Sequence, residues 1–292
     1  MTKYVNVNLF DVSWDEDGTQ WLTETLLEYS RLPMQGRWRD DLRLENIDVC
    51  DADETVPSRY FVLNFVKKRP IGPGRVAAGV PVADIGLNIG EEFGEETAAL
   101  YLPSQRWLLI LHNQYGVGPS RMAEYFNALD PGNAARHFSY RTAPCIDRQA
   151  IRRMEQMRNF TSVEVIASVG AFDNSGAEVG ESVQEAAQAA RAMRVSLKFE
   201  ANEVRRKGNS LNFNEMTRLI GSLLNRGEDV RKLEVKGAEN AETADQIVDL
   251  IEHKIRARRN ASELVVANHR YTFASKKSLL QRVCRGWMNT LI

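Results

Sequence analysis

The chain has 292 residues, 43% hydrophobic and 26% charged, with a formal net charge of −1. That length supports one large domain or two modest ones, and the near-neutral balance excludes a polypeptide held to a polyanion by its total charge. The three cysteines, Cys50, Cys145 and Cys284, are far apart and odd in number, which argues against a disulfide framework or a CxxC metal pair and for a reducing, cytoplasmic setting.

No apolar run approaches the ~20 residues of a membrane span, and the opening MTKYVNVNLFDVSWDEDG lacks the basic start and apolar core of a signal peptide, so no membrane insertion is expected. YVNVNLF alternates Val5, Val7 and Leu9 against Asn6 and Asn8, the pattern of a half-buried strand. Trp21, Leu22, Thr25, Leu26 and Tyr29 recur at helical spacing and predict a helix from Thr19 to Tyr29. RYFVLNFVKK is apolar on both faces, as suits a central strand. The Gly- and Pro-rich stretch from Arg69 to Glu96 reads as a long loop with short extended pieces. RWLLIL is a buried strand, and a helix follows from Pro119 to Leu129, ending at DPGN.

In the second half, TSVEVIASV alternates Val163, Val165, Ala167 and Val169 against Ser162, Glu164 and Ser168. DNSGAEVGE is a loop and SVQEAAQAARAM an alanine-rich helix. RVSLKFEAN places Val195, Leu197, Phe199 and Ala201 on one strand face. NFNEMTRLIGSLLNRG carries a Met216, Leu219, Ile220, Leu223, Leu224 stripe, with Asn212 and Glu215 as a capping box and Gly227 as the terminal cap. VRKLEVKG is a strand, and TADQIVDLIEHKI predicts a helix on Ile247, Val248, Ile251 and Ile255. The terminal KKSLLQRVCRGWMNTLI predicts a helix with Leu280, Val283, Cys284, Trp287 and Leu291 inward. Strands with one polar face favour an α+β fold of mixed or antiparallel sheets with packed helices. Two lobes are expected: residues 1–150 with an acidic start, and residues 151–292 ending in basic helices.

Charge is neutral in sum and segregated in sequence. Residues 1–60 hold 13 acidic and 6 basic side chains, whereas residues 254–285 hold 9 basic ones and a single acid, Glu263. The candidate phosphate contacts are Lys254, Arg256, Arg258, Arg259, Arg270, Lys276, Lys277, Arg282 and Arg285, joined by Arg205, Arg206 and Lys207 at a turn. Lys277, Arg282 and Arg285 point away from the apolar stripe of the last helix, so they can face a ligand together. Arg148, Arg152, Arg153 and Arg158 add a further basic stretch. Clustered cations bind polyanions by releasing condensed counterions. Cations in the last turn of a helix are also favoured by its dipole, which accounts for part of KIRARR, and the acidic start could fold against the basic end. Aromatics near these cations are few (Tyr271, Phe273, Trp287), which favours backbone contact with duplex over base stacking.

HNQYGVGPSRMAEYF, residues 112–126, raises the question of a phosphate-binding loop. A strand, GVG and a helix could cradle phosphate on free N–H groups. The GxGxxG spacing fails, because Arg121 stands at the third glycine position, GPGRVAAG fails too, and no GK[ST] exists. Likeness to a helix-hairpin-helix is broken by Gln114 and Met122. The simpler expectation is that Gly116 and Gly118 turn the chain, Pro119 opens the helix, and Met122, Tyr125, Phe126 and Leu129 anchor it.

The four histidines (His112, His137, His253, His269) have no partners at metal-ligand spacing, and neither HExxH nor GxSxG occurs. Glu200, Glu203 and Lys207 have the residue types of a metal-dependent nuclease, but Glu200 and Glu203 face opposite ways on one strand. No cofactor, metal or catalytic residue is assigned.

From GEETAALYLP and RWLLILHNQYGVGPSRMAEYFNAL through VEVIASVGAF and VSLKFEAN, the succession of elements resembles a family of bacterial and prophage proteins. That family includes the Rex exclusion protein A of lambdoid phages and the B component of Kiwa defence systems. The resemblance implies a two-lobed α+β protein that dimerises and binds duplex DNA with little sequence preference in defence against phage, with a partner protein of the same system. The expectation is therefore a non-catalytic duplex-DNA binder. A metal-dependent nuclease or nucleotide-processing enzyme and a protein-interaction module are the alternatives.

Overall fold

The computed structural model describes residues 3–13, 18–53, 56–75, 78, 81, 83–129, 140–172, 176–201, 210–224, 230–239 and 244–291. The strands are β1 (Tyr4–Ser13), β2 (Trp38–Arg39), β3 (Leu42–Cys50), β4 (Tyr60–Arg69), β5 (Phe93–Leu102), β6 (Trp107–Leu111), β7 (Arg141–Pro144), β8 (Asn159–Ser168), β9 (Arg194–Glu200), β10 (Val230–Ala238), β11 (Gln246–Asp249), β12 (Arg256–Asn260), β13 (Val266–Ala267) and β14 (Arg270–Tyr271). The helices are α1 (Gly18–Arg31), α2 (Pro119–Leu129), α3 (Arg148–Gln156), α4 (Glu178–Ala189), α5 (Phe213–Leu224) and α6 (Phe273–Leu291). The fold is α+β, with antiparallel ladders.

The chain forms two compact units. The first comprises Met1–Val7, Trp14–Tyr140 and Ala257–Ile292, the second Asn8–Ser13 and Arg141–Arg256. The division thus falls before Arg141 rather than at residue 150, and the terminal helix expected in the second lobe belongs to the first unit.

The first unit is built on a sheet ordered β12-β1-β6-β5-β4-β3-β2. Strand β4 is central and buried from Tyr60 through Phe65, as its two-sided apolar sequence requires. Because side chains alternate, its two faces meet different helices. Tyr60 and Asn64 reach Gln281 and Lys276 of α6. Phe65, of opposite parity, packs edge-on against Tyr125 and Phe126 of α2. The inward faces of α6 (Leu279, Leu280, Val283, Cys284) and α2 (Met122, Tyr125, Phe126, Leu129) are buried. The helix α1 packs on β3, with Leu22, Leu26 and Tyr29 inside.

A buried cation terminates α1. Arg37 is 9% exposed and donates to Leu32 O (2.6 and 2.9 Å), Ser30 O (3.1 Å) and Glu45 O (3.2 Å). Its guanidinium thereby takes up carbonyls left open at the helix end. Its own carbonyl accepts from Tyr125 Oη at 2.5 Å, and the same hydroxyl accepts from Leu44 N at 3.2 Å.

The second unit carries a sheet ordered β11-β10-β8-β9, antiparallel throughout. The pairs Val248–Val235, Val235–Val163 and Val163–Phe199 run across its inner face, beside Leu233–Val165 and Val165–Leu197. The α5 stripe Met216, Leu219, Ile220 and Leu223 joins this core, as its spacing predicts. Asn212 caps α5 by accepting from Glu215 N at 3.2 Å, but the Glu215 carboxylate accepts from Val179 N instead of closing the box. Gly227, like the DPGN stop after α2, lies outside the described residues. Helix α4 begins at Glu178, four residues before the expected start, and α3, not expected at all, is capped by Asp147 accepting from Gln149 N at 2.7 Å.

One expected helix is a correction. Within TADQIVDLIEHKI, residues Gln246–Asp249 form β11, paired to β10, and a turn follows. Asp249 Oδ1 accepts from Ile251 N and Glu252 N, an Asx turn that ends the strand. Ladder pairing to a buried neighbour outweighs a four-residue apolar spacing that fits either period.

Arg37→Ala is expected to destabilise the protein by about 2–3 kcal/mol, because several carbonyls lose their donor together. Urea denaturation followed by circular dichroism checks this, with a smaller loss for the exposed Arg31→Ala.

Candidate nucleic-acid interface

The predicted helical end of KIRARR is strand β12, at one edge of the large sheet. Arg256 opens it and Arg258 and Arg259 follow, on alternating faces. Arg258 lies over the Tyr4 ring, with its guanidinium carbon 3.8 Å from the centroid, a contact that orients the side chain without neutralising it. Among the described residues, Arg256, Arg258, Arg259 and Arg285 form no ion pair. Lys254 precedes the strand, half-buried in a bridge with Ile146. Arg205, Arg206 and Lys207 lie outside the described residues.

The cations of α6 and its approach are placed otherwise. Lys276 is 5% exposed, with Nζ 2.5 Å from Glu96 Oε2 and 3.4 Å from Asn64 Oδ1. The other oxygen of Glu96 takes Arg270 at 3.0 Å. Lys277 binds Asp48 at 2.9 Å, and Arg282 binds Glu263 at 2.9 Å while donating to Ser278 Oγ. The expectation that Lys277, Arg282 and Arg285 face one ligand together meets a different arrangement, with only Arg285 exposed and unpaired. The helix covers the β4–β5 face, so Lys276 meets Glu96, a largely buried carboxylate of β5 that would otherwise be desolvated without a partner, whereas the Lys277–Asp48 and Arg282–Glu263 pairs remain partly exposed.

The GVG loop has a structural role. Tyr115 N and Gly116 N donate within the turn to Asn113, at 3.2 and 3.0 Å, and Val117 N donates to Thr97 Oγ1 at 2.8 Å. A side chain at Gly116 would overlap Thr97 Oγ1, so glycine is needed for the close approach. These N–H groups are already used, and the nearby Arg121 is clasped by Glu124 (2.6 Å), Asp41 (2.8 Å) and Asp40 (3.6 Å). The hydrogen bond from Arg121 holds the Asp41 carboxyl below the usual carboxylate range, against the opposing effect of partial burial.

In the second unit, Arg152, Glu155, Gln156, Arg158 and Glu239 line an open cleft of about 460 Å³, whose two guanidiniums are offset by two carboxylates. Arg153 stands apart, 3.2 Å from His253 Nε2. Of the nuclease candidates, Glu200 pairs with Lys198 at 2.5 Å, and Glu203 and Lys207 lie outside the described residues. No three His, Cys, Asp or Glu among the described residues are grouped to hold a metal, and no described helix is long and apolar enough to cross a membrane. Burial, reinforced by the negative charge of Asp53, pushes the Cys284 thiol up to about 12, so it remains protonated and unreactive.

A family model matches residues 2–268, and the chain belongs to that family, DUF6731, a family of unknown function. No curated protein matches the chain.

Two outcomes follow from this charge arrangement. Glu96→Gln leaves Lys276 buried without its counter-charge and is expected to cost about 3–5 kcal/mol in chemical denaturation, whereas Lys276→Met, which removes the charge as well, costs less. Asp41 has a folded pKa below its unfolded value near 3.8, so its stabilisation is present above that pH and lost as pH falls through the folded value. Asp41→Asn should therefore flatten the decline of Tm below about pH 4.

Proposed function

We propose that this chain is a non-catalytic protein that binds the phosphate backbone of duplex DNA with little sequence preference, acting in phage exclusion or anti-phage defence. The observation that supports the binding is the edge strand β12, whose Arg258 and Arg259 carry no internal counter-charge. A guanidinium oriented on an aromatic ring and free of carboxylates keeps its charge for an external anion. The defence setting rests on the resemblance of the strand and helix succession alone.

Lys276 is excluded from contact by burial, and Arg270, Lys277 and Arg282 have their charge largely met within the fold. The contact set is therefore small, and binding should be weak and steeply salt-dependent, with Kd of about 10⁻⁴–10⁻⁶ M at physiological salt. A second reading, a protein-interaction module, is favoured by the exposed aliphatic side chains between β4 and β5.

Salt titration of binding to a labelled duplex is the test. The variant Arg258→Ala is expected to flatten the slope of log K against log salt by about 1, uniformly across sequences. Lys277→Ala is expected to leave the slope near its starting value. Absence of binding at about 50 mM salt, or an unchanged slope in the Arg258→Ala variant, overturns the reading.

A further inference from the structure

The aromatics that lie near the basic segment in sequence are Tyr271, Phe273 and Trp287. The fold adds another from the opposite end of the chain. Ala261 N donates to Lys3 O at 2.9 Å and Leu9 N to Ile255 O at 3.0 Å, so β1 and β12 run antiparallel as neighbours. That pairing sets Tyr4 opposite Asn260 and Asn6 opposite Arg258, and the alternation of side chains puts all four on one face. All four belong to the first unit.

The face is open. Tyr4 is 50% exposed, Arg258 and Asn260 are exposed, and Asn6 is half-buried. Val7, of opposite parity on β1, is fully buried. Three of the four side chains carry an unused function. The Arg258 guanidinium lies over the Tyr4 ring, and half of the tyrosine still meets solvent. Neither the Tyr4 hydroxyl nor the Asn6 amide makes a hydrogen bond among the described residues, and Arg258 forms no ion pair there. Asn260 is occupied: it accepts from Ser262 N at 3.0 Å. Glu263, the nearest acid after β12, is occupied too, closing that cap and pairing with Arg282.

An exposed ring beside a free amide and a free guanidinium has the chemistry to take an unpaired nucleobase. The ring can stack on any base, since every base has a π-face. The amide, with one acceptor and two donors, can bond the base edge that only an unpaired base turns outward. The guanidinium can meet the adjoining phosphate. Inside a closed duplex each base face is covered by its neighbours, so Tyr4 has nothing to stack on and only Arg258 is used. An inorganic anion would likewise engage Arg258 and leave the ring and the amide idle.

We infer that the face shared by β1 and β12 binds an unpaired base of DNA. Tyr4 is the stacking platform, Asn6 bonds the base edge and Arg258 holds the adjoining phosphate. The inference rests on the nucleic-acid reading of β12 and narrows its substrate to duplex interrupted by, or ending in, a single-stranded segment.

Two labelled DNAs test it: a blunt duplex and the same duplex with a short single-stranded gap. At about 50 mM salt the full chain is expected to bind the gapped duplex about tenfold more tightly, as one base stacked on an aromatic ring supplies. Tyr4→Leu is expected to abolish that difference while binding to blunt duplex persists, and Tyr4→Phe, which keeps the ring, to preserve it. Circular dichroism should be unchanged in both, because Tyr4 is exposed. Asn6→Ala is expected to narrow the difference. A gap carrying iodouracil, which joins to a stacked aromatic ring under near-ultraviolet light, is expected to crosslink at Tyr4. Equal affinity for the two DNAs, with binding that still weakens in Arg258→Ala, overturns this inference alone. A preference for the gap that persists in Tyr4→Leu, or a crosslink elsewhere, does the same. No binding to either DNA overturns the nucleic-acid reading and this inference together.

Discussion

Burial of β4 on both faces is the constraint on which the first unit depends. Six consecutive residues from Tyr60 to Phe65 leave no face for water, so the sheet must be covered twice. One cover, α2, follows closely in the chain. The other, α6, comes from the far end of the polypeptide. The last helix therefore returns to the first unit, and the unit boundary does not follow a simple halving of the sequence.

The same constraint determines the fate of the basic C-terminal segment. Once α6 lies on the β4–β5 face, Lys276 and Lys277 are carried over Glu96 and Asp48. Desolvated carboxylates and ammonium groups are tolerable only when they meet, so Lys276, which looks like part of a ligand surface in one dimension, becomes an internal pair with Glu96 in three, while Lys277 and Asp48 pair nearer the surface. What remains outward is shorter and lies on a strand. An edge strand rich in arginine also resists unwanted pairing with another sheet, so Arg258 and Arg259 serve the monomer even before any anion arrives.

The arm between β4 and β5 has the opposite character. Along 84–91 the backbone is shaped by local side chains, while Ile85, Leu87 and Ile89 face water. The uncovered alternation of Ile85, Leu87 and Ile89 stands out against its acidic flanks, Asp84 and Glu91. Neutral overall charge thus conceals two local surfaces of opposite sign, one acidic and aliphatic on the arm, one rich in arginine on β12.

By itself the sequence determined the fold class, most helices and the inward faces of α2 and α5. Of the stripe expected inward on α6, Leu280, Val283 and Cys284 are buried and Trp287 and Leu291 only half-buried. Periodicity alone located α1, α2, α5 and α6, and alternation located β8 and β9, because each segment buries one face whatever its neighbour. Gly116 and Pro119 were also legible, since turn geometry and a missing N–H are local properties. Tertiary structure alone decided β11, where pairing with β10 replaced an expected helix, and it alone decided which cations are free. An arginine or lysine is defined as ligand or strut by the carboxylate it meets. Glu96 and Lys276, 180 positions apart, are brought together only by the packing of the last helix on the central strands.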